Sequence, residues 1–481
     1  MKKHKNNTNK GFNITCKIIS LLLAISSVVA VSFIIYFEIL PLTFLSLFII
    51  ISGIIVILLI KLMNSKLKKW IRSLIVLLST LFIIIFLFVS IYSFGTLNMF
   101  NDIFDLGYRT DNYSVYVLNK SEYESIKELE DKKIGLTNEE AEEVEKKLSK
   151  EIEFYLLEYD TSIDMIKELE DEKIDAIVML DTNMELLQDA NDDYKNLKSI
   201  YSFTITTKVE TIDKSVDISK DSFLIYISGI DTNGKVASKA RSDVNILAAV
   251  DPIDRKILIL NTPRDFYVEL PSKEEYDKLT HAGVYGIEES ISALEKLYDT
   301  TINYYVRVIF TTFIKIVDAL DGITVNVPNS FCEQTSSRES EEEICLKKGR
   351  QTLNGEEALA LSRTRHIYAD GDRSRIKNQM LVLEALIDKA LSPKIITNYT
   401  KIISKLSNSV VTNIDEKDVT KLIKNQIEEN SNWSIETYSV NGTDASKPIY
   451  SAGSLNTYVM NPDLETVLVA KEKLRNILNN N

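Results

Sequence analysis

Three long runs of apolar residues near the N-terminus dominate the hydropathy pattern of the chain. They cover residues 18–37, 39–60 and 73–92, and none of them contains a charged side chain. Each is about 20 residues long, the length that a helix needs to cross the hydrocarbon core of a bilayer. The pattern predicts three transmembrane helices within residues 18–95.

Lysine and arginine flank these runs unevenly. The tail of residues 1–17 holds five lysines, and the connection 61–72 holds four lysines and Arg72 with no acidic residue. Cytoplasmic segments carry such an excess of positive charge. A multi-pass protein of the cell membrane is predicted, with a cytoplasmic N-terminus and an extracellular chain beyond residue 95. A cleaved signal peptide is the alternative for the first run alone, because the other two runs would still anchor the chain.

A small α/β domain is predicted over residues 113–212. Residues 113–118 alternate like a strand, 121–131 predict a helix with a Ser cap, and 133–136 predict a short buried strand. The sequence IKELEDKKI at 126–134 recurs as IKELEDEKI at 166–174. Each copy predicts an amphipathic helix that leads into a strand. Two copies indicate two crossover units of one sheet, because a solenoid needs at least three repeats.

This accessory segment resembles half of a periplasmic-binding-protein-like domain. Its motifs are weak, and no catalytic constellation stands out among its residues. A spacer or docking role is therefore favoured over a ligand site.

A second domain is predicted over residues 221–392, after a linker at 214–220, with residues 393–481 as its C-terminal extension. Its pattern mixes strands with amphipathic helices, which predicts an α/β fold in which helices flank a mixed sheet. Strands are predicted at 223–228, 244–250, 256–260 and 323–327, and helices at 287–297, 311–320, 354–365 and 372–390. The extension is predicted to form strands between 433 and 460 and a final helix after Pro462.

The net charge of −13 argues against nucleic acid as a partner, because such binders carry an excess of Lys and Arg to neutralise phosphates. Cys332 and Cys345 lie thirteen positions apart in the predicted external part. They could form a disulfide or remain two free thiols, and the sequence leaves both open. No spacing of His and Cys indicates a zinc site.

Arginine is scarce, with 13 of the 56 basic residues, so the positions that use it are informative. A planar guanidinium grips an oxyanion with two bonds, which a lysine ammonium does not do. Phosphate is the natural partner of such a cluster. The residues concerned are Arg241, Arg264, Arg363, Arg365, Arg373 and Arg375.

Three carboxylates follow or precede predicted strands beside these arginines: Asp231, Asp243 and Asp265. A hard cation such as Mg²⁺ takes a few protein oxygens and shares phosphate oxygens. The alternative is local, with Asp231 in an Asx turn and the others paired with arginine. Taken together with the arginines, the carboxylates favour a Mg²⁺ site facing a polyphosphate.

Residues 221–392 resemble the LytR-CpsA-Psr family, the wall-glycopolymer ligases of Gram-positive bacteria. The matching stretches are Ser228-Gly229-Ile230-Asp231, Ala240-Arg241-Ser242-Asp243, Thr262-Pro263-Arg264-Asp265, Leu279-Thr280-His281-Ala282, Leu353-Asn354-Gly355-Glu356-Glu357-Ala358-Leu359-Ala360, Arg363-Thr364-Arg365 and Gly371-Asp372-Arg373-Ser374-Arg375 with Gln379. The multi-helix anchor and the α/β domain before the second domain also resemble members of this family.

The resemblance implies a Mg²⁺-dependent phosphotransferase that moves a glycopolymer, such as a teichoic acid or capsule-like polymer, from a polyprenyl pyrophosphate carrier to a peptidoglycan hydroxyl. It implies that Asp231 and Asp243 bind Mg²⁺. The pyrophosphate would be bound by Arg241, Arg264, Arg363, Arg365 and Arg375, assisted by Gln379, and these arginines with Asp265 would form the catalytic set.

Some roles stay open. Asp265 could accept the acceptor's proton or orient Arg264, and orientation is favoured. His281 is interpreted as a structural hydrogen-bonding residue. Two positions depart from the family pattern: Asn378 stands where a further arginine is usual, and Val244 where a hydroxyl residue is commoner.

Two rival functions use the same residues differently. A polyprenyl pyrophosphate phosphatase would use water in place of the wall hydroxyl. A non-enzymatic membrane sensor would bind a ligand through residues 113–212, but only short basic segments are predicted on the cytoplasmic side. The expected partners are the lipid bilayer, a polyprenyl-linked glycopolymer and peptidoglycan, without nucleic acid.

Overall fold

The structure is a computed structural model that describes residues 2–37, 42–103, 108–137, 141–208, 214–230, 239–336, 343–365, 372–392, 410–429, 432–453 and 455–478. The chain divides into two compact units. One consists of Met1–Asp102 with Leu391–Ser407 and Asp415–Asn432, and the other of Ile103–Ala390 with Asn408–Ile414 and Trp433–Asn481.

Three helices begin the chain: α1 (Lys2–Phe37), α2 (Leu42–Met63) and α3 (Lys69–Ile103). Within them, Gly11–Tyr36, Phe44–Met63 and Lys69–Ile91 are long and apolar enough to cross a membrane. Many large apolar side chains on these helices are exposed, as lipid-facing residues are. The prediction of three apolar helices suited to membrane anchoring is confirmed.

The accessory region is a five-stranded sheet in the order β3-β2-β4-β1-β5. Strands β2, β4 and β3 are parallel to one another, and β1 runs antiparallel to β4 and β5. Its elements are β1 (Tyr108–Leu118), β2 (Lys133–Thr137), α4 (Ala141–Leu148), β3 (Tyr155–Tyr159), α5 (Ser162–Glu170), β4 (Ala176–Leu180), α6 (Asp181–Ala190) and β5 (Leu197–Lys208). A buried cluster with Val144 of α4 covers one face, and another with Met165 of α5 covers the other, so the region has three layers.

The two copies of the repeat fold differently. The second copy forms part of α5, whose N-terminus is capped by the Thr161 hydroxyl. The first copy forms only the 3₁₀ helix Ile126–Leu129, with a capping box between Ser125 and Glu128. The prediction of a helix over 121–131 is therefore wrong in length and type. Both copies bury their Ile and Leu. The second copy joins the parallel strands β3 and β4 and is a crossover, whereas the first joins β1 and β2, which run antiparallel, so the prediction of two crossover units is wrong for the first copy.

The second region is built on a six-stranded mixed sheet in the order β16-β11-β6-β7-β8-β17. Strands β6 to β8 form an antiparallel meander, while β11 lies parallel to β6 and β17 parallel to β8. The strands are β6 (Phe223–Ile230), β7 (Val244–Asp251), β8 (Lys256–Asn261), β11 (Tyr304–Ile309), β16 (Val410–Thr412) and β17 (Ser434–Ser439). Almost all of β7 is buried, as expected of a central strand covered on both faces.

Helices and small two-stranded sheets in the described part of the chain surround this sheet. One apolar cluster joins the sheet to Leu294 and Leu474, and a second joins Val317, Leu361 and Val382. The helices of this region are α7 (Leu279–Ala282), α8 (Ile287–Tyr298), α9 (Phe310–Ala319), α10 (Gly355–Arg363), α11 (Asp372–Ala390) and α13 (Leu464–Leu478), while α12 (Glu416–Glu429) belongs to the other compact unit. The paired strands are β9 (Tyr267–Leu270) with β10 (Glu275–Lys278), β12 (Ile323–Val327) with β15 (Gly349–Leu353), β13 (Phe331–Gln334) with β14 (Glu343–Leu346), and β18 (Gly442–Pro448) with β19 (Asn456–Pro462).

The α/β fold class is confirmed, and so are most element positions. The meander turns at Asp251–Asp254 as predicted, where the Asp251 carboxylate accepts bonds from the backbone of Ile253 and Asp254. The helix predicted over 354–365 ends two residues earlier, at Arg363. Cys332 and Cys345, left open by the sequence, are joined as a disulfide across the hairpin β13–β14.

Candidate active site

Two neighbouring strands bring Asp243 and Arg264 together. Asp243 immediately precedes β7 and Arg264 lies three residues beyond the end of its antiparallel partner β8, so both side chains lie at the same edge of the sheet. Nη1 of Arg264 donates a hydrogen bond of 2.7 Å to Oδ1 of Asp243. Nε of the same guanidinium lies 3.4 Å from Oδ2 of Asp265. The Arg264 guanidinium thus forms a hydrogen bond with one carboxylate and an ion pair with the other.

Arg363 and Arg365 are positioned by the C-terminal end of α10. Asn354 begins this helix with a capping box, because its side chain accepts from Glu357 N and the Glu357 side chain accepts from Asn354 N. The Arg363 guanidinium lies 5.8 Å from the ring centroid of Phe310, which limits its orientation.

The first turns of α11 present Arg375 and Gln379, which lie four residues apart and therefore on one face of the helix. Together with Asp243, Arg264, Arg363 and Arg365 they line a cavity of about 310 Å³. Among the described residues, four guanidinium groups face two carboxylates there, those of Asp243 and Glu333, an excess of two positive charges. Such a cavity suits a compact polyanion.

Glu333 and Gln334 also line this cavity, and the sequence did not indicate them. They come from β13, whose hairpin is closed by the Cys332–Cys345 disulfide. The adjacent cysteine was the available signal, since a bridged hairpin offers a rigid support for neighbouring side chains.

Two predicted site residues in the described part of the chain, Arg241 and Asp265, do not line the cavity. The Arg241 guanidinium lies 3.5 Å from Glu185 of α6, on the side of the accessory sheet. Asp265 lies behind Arg264, in a small adjoining space that also touches Asp243 and Arg375. Asp231 lies outside the described residues. Arg373, of the same cluster, donates to the carbonyl of Gly442 instead.

A buried polar network supports the segment that carries Arg241 and Asp243. The Ser242 hydroxyl lies 2.8 Å from that of Ser228 and 3.0 Å from that of Tyr226, and Tyr226 donates to Asn245 at 2.6 Å. Nε of Arg307, a fully buried residue on β11, donates to the Ser228 hydroxyl. Burial lowers the pKa of the Arg307 guanidinium.

Helix α7 connects the two strand ends that carry the site. Thr280 donates its backbone N–H to the carbonyl of Arg264 and accepts from the N–H of Ser242. His281 is buried, and its Nδ1 lies 2.7 Å from Oδ1 of Asp277 and 2.8 Å from the Ser451 hydroxyl. The interpretation of His281 as a structural residue is confirmed. Because the carboxylate and the hydroxyl meet the same ring nitrogen, these three residues do not form a relay for nucleophilic catalysis.

The arrangement of arginines, carboxylates and strand ends agrees with the family resemblance. A family model described as the LytR_cpsA_psr family matches residues 178–475. The chain belongs to the LytR-CpsA-Psr family. The match includes the whole six-stranded sheet and begins within the accessory sheet, at β4.

Relatives in the LytR-CpsA-Psr family carry descriptive names. The polyisoprenyl-teichoic acid–peptidoglycan teichoic acid transferase TagT of Bacillus subtilis is 37% identical over 209 residues, which cover 43% of this chain and 64% of that protein. TagV of the same organism is 34% identical over 267 residues, which cover 55% of this chain and 65% of that protein. The matched part thus spans just under two thirds of the length of either transferase.

Solved structures from the LytR-CpsA-Psr family also match. The crystal structure of B. subtilis TagV has a TM-score of 0.46 at 32% identity and covers 54% of this chain and 98% of that one. A structure of TagT with bound octaprenyl pyrophosphate lipid has a TM-score of 0.42 at 31% identity, and the match covers 55% of this chain and 94% of that one.

Proposed function

We propose that this protein transfers a glycopolymer from a polyprenyl pyrophosphate carrier to a hydroxyl group of peptidoglycan. The observation that carries the proposal is the cavity in which Arg264, Arg363, Arg365 and Arg375 converge on the space beside Asp243. The names of the relatives TagT and TagV describe the same class of reaction. The TagT structure with a polyprenyl pyrophosphate supports the carrier.

In the proposed step, the acceptor oxygen attacks the phosphorus that bears the sugar. A new P–O bond forms, the bridging P–O bond of the pyrophosphate breaks, and polyprenyl phosphate leaves with the electron pair. The acceptor hydroxyl loses its proton to a base or to solvent. The product is a phosphodiester between polymer and wall.

The arginines would stabilise the charge that grows on the phosphoryl oxygens and on the leaving phosphate. Arg363 and Arg365 approach from α10, and Arg375 and Gln379 from α11, so the diphosphate would be held from two sides. Asp265 is assigned to orientation of Arg264, since its carboxylate lies against that guanidinium and not in the cavity. Phe310 is the apolar residue beside Arg363 where the lipid chain would leave the cavity.

Asp243 fits a Mg²⁺ ligand. Its carboxylate lines the cavity, one oxygen is held by Arg264, and the surrounding arginines favour a ligand whose phosphate oxygens would complete the shell of a hard cation. Asp231 is the second proposed ligand. When bound, the ion would neutralise negative charge on the diphosphate.

We propose that the reaction takes place on the outer face of the cell membrane. The lysine-rich segments 1–17 and 61–72 would then be cytoplasmic. Anchoring suits the chemistry, because a polyprenyl carrier diffuses in the plane of the same bilayer.

The test uses the full chain in lipid nanodiscs with a polyprenyl pyrophosphate oligosaccharide and soluble peptidoglycan strands, and mass spectrometry detects the phosphodiester. Arg363→Ala is expected to lower transfer at least about a hundredfold. Arg475→Ala, which removes an exposed pair with Asp299, is the matched control and should keep full transfer. Unchanged transfer by the Arg363 variant would reject the proposal.

The rival phosphatase is separated in the same assay. Without peptidoglycan, hydrolysis by the wild-type chain should be slow, and addition of the acceptor should divert the polymer into the phosphodiester. Equal hydrolysis with and without acceptor, with no phosphodiester, would assign the cavity to a pyrophosphatase instead.

A further inference from the structure

A second and larger cavity, of about 550 Å³, lies between the accessory sheet and the segments around α7. Its lining combines the ends of β2, β3 and β4 with residues 272–275, 284–285 and 450–453 of the second region. The volume falls within the range of about 300–1,000 Å³ usual for small-molecule sites. It shares no lining residue with the arginine cavity.

The cavity lies where open α/β sheets bind ligands. The chain leaves β2 through α4 to β3 on one side, and it leaves the adjacent parallel strand β4 through α6 to β5 on the other. Connections that depart in opposite directions open a crevice at the carboxyl ends of the two strands. Thr137 at the end of β2 and Asn183 just after β4 both line the cavity.

Two tyrosines form part of the opposite wall. The rings of Tyr285 and Tyr450 have centroids 5.8 Å apart and are tilted by 53°. Nζ of Lys273 lies 5.4 Å from the centroid of Tyr285 and holds that ring from one side. Tyr450 is 40% exposed although it is a large aromatic residue. Such rings offer flat apolar faces beside polar hydroxyls.

The loop of residues 450–453, which carries Tyr450, packs closely against helix α5 of the accessory region. Gly453 has a φ of +60°, and a Cβ built on it would lie 1.7 Å from Cδ1 of Ile163 on α5. Only a residue without a side chain allows this approach. The loop is also held through Ser451, whose N–H donates to the buried Asp277 carboxylate at 2.7 Å. The crevice is therefore preformed.

The charge of this lining differs from that of the arginine cavity. Among the described lining residues, Asp160, Asp164 and Glu275 face Lys239 and Lys273, an excess of one negative charge, and none is an arginine. A polyphosphate finds no favourable potential there. Hydroxyl and amide groups supply most of the other polar contacts, and these both donate and accept hydrogen bonds.

We infer that this crevice is a binding site for an uncharged saccharide of a few sugar rings. Sugar rings present C–H groups on one face, which suit the Tyr285 and Tyr450 rings, and hydroxyls at the edge, which suit Asn183 and the Ser and Thr residues. The inference goes beyond the proposed transfer, since it does not depend on the arginine cavity or on any reaction.

The test measures binding by the full chain in lipid nanodiscs, which avoids detergents that carry sugar head groups. Chitotriose, an uncharged trisaccharide, is titrated by calorimetry, with tetraalanine as the peptide probe and inorganic pyrophosphate as the probe of the arginine cavity. Chitotriose is expected to bind with a Kd of about 1 mM or tighter.

Tyr450→Ala and Asn183→Ala are each expected to weaken chitotriose binding at least about fivefold and to leave pyrophosphate binding unchanged. An unchanged thermal unfolding temperature shows that the fold of each variant is intact. Tyr155→Ala is the matched control. Tyr155 is 62% exposed and lies at the amino end of β3, opposite the crevice, so its loss should change neither affinity.

Three results would each overturn the inference. The first is no heat of binding from chitotriose at about 10 mM, ten times the expected Kd. The others are equal affinity of both variants and the wild type for chitotriose, and binding of tetraalanine in place of the saccharide. None of them bears on transfer, so the inference and the proposed function can fail separately.

Discussion

Arg264 donates through Nη1 to Oδ1 of Asp243 at 2.7 Å, across the ends of two adjacent strands. The pair joins the proposed metal ligand to one of the four arginines of the cavity. Arg264 also forms an ion pair with Asp265, so its guanidinium links two carboxylates.

The first prediction concerns this pair. Arg264→Lys keeps the charge but loses the planar fork, so transfer should fall about ten- to a hundredfold, the cost of a charged hydrogen bond in free energy. The measurement is kcat/KM in the nanodisc assay. Lys296→Arg, at an exposed pair with Glu269, serves as the control. Full activity of the Arg264 variant would show that the fork is not used.

The second prediction concerns the proposed metal. Chelation of divalent ions should suppress transfer, and added Mg²⁺ should restore it. Asp243→Asn keeps an acceptor for Arg264 but removes the negative charge that a hard cation requires. The Mg²⁺ concentration for half-maximal rate should therefore rise at least about tenfold in this variant. An unchanged Mg²⁺ requirement would remove Asp243 from the metal site.

The third prediction concerns Glu333, which opposes the arginines of the cavity. Glu333→Gln raises the positive excess of the lining from two charges to three, so pyrophosphate should bind more tightly, by several-fold at low salt and less at high salt. Calorimetric titration at two ionic strengths measures this effect. Glu436→Gln, an exposed change on β17, should leave affinity unaltered. Weaker binding by the Glu333 variant would contradict the expected repulsion.

The fourth prediction concerns the disulfide that closes the hairpin β13–β14. The double variant Cys332→Ser/Cys345→Ser should lower the free energy of unfolding of its unit by up to about 3 kcal/mol, the value for a closed loop of this size. Pyrophosphate affinity should also change, because Glu333 and Gln334 both lose the support of the bridge. Thermal unfolding and titration measure the two effects, and Cys16→Ser is the control. An unchanged unfolding temperature would show that the bridge is not a stabilising element.

The sequence predicted the sheet meander from local periodicity and the start of helix α10 from its cap Asn354. It also predicted the four arginines of the cavity, because this chain uses arginine rarely. It did not predict that Arg241 lies beside Glu185. That relationship joins two sheets, and no local pattern encodes it. Glu333 was missed because its hairpin is distant in sequence from Arg363 and Arg375, and the neighbouring Cys332 was the only local signal.

The repeat shows a different limit. Two nearly identical nonapeptides give a 3₁₀ turn between antiparallel strands and an α-helix between parallel ones. Helix propensity is a weak guide where tertiary context overrides it.

The crevice beside the accessory sheet could not be predicted from local sequence either. One of its walls is formed by residues 450–453, almost 300 positions away from α5.

Strand β17 and helix α13 complete the second region from the far end of the chain: Ser434–Ser439 borders β8, and Leu474 seals the core. Every residue of the arginine cavity lies before position 380. A gene interrupted by a stop codon near position 400 would thus encode an intact set of signature motifs on a sheet with a bare edge and an open apolar face. Genome surveys that count motifs would score such a pseudogene as a working member, whereas the chain it encodes would be expected to aggregate.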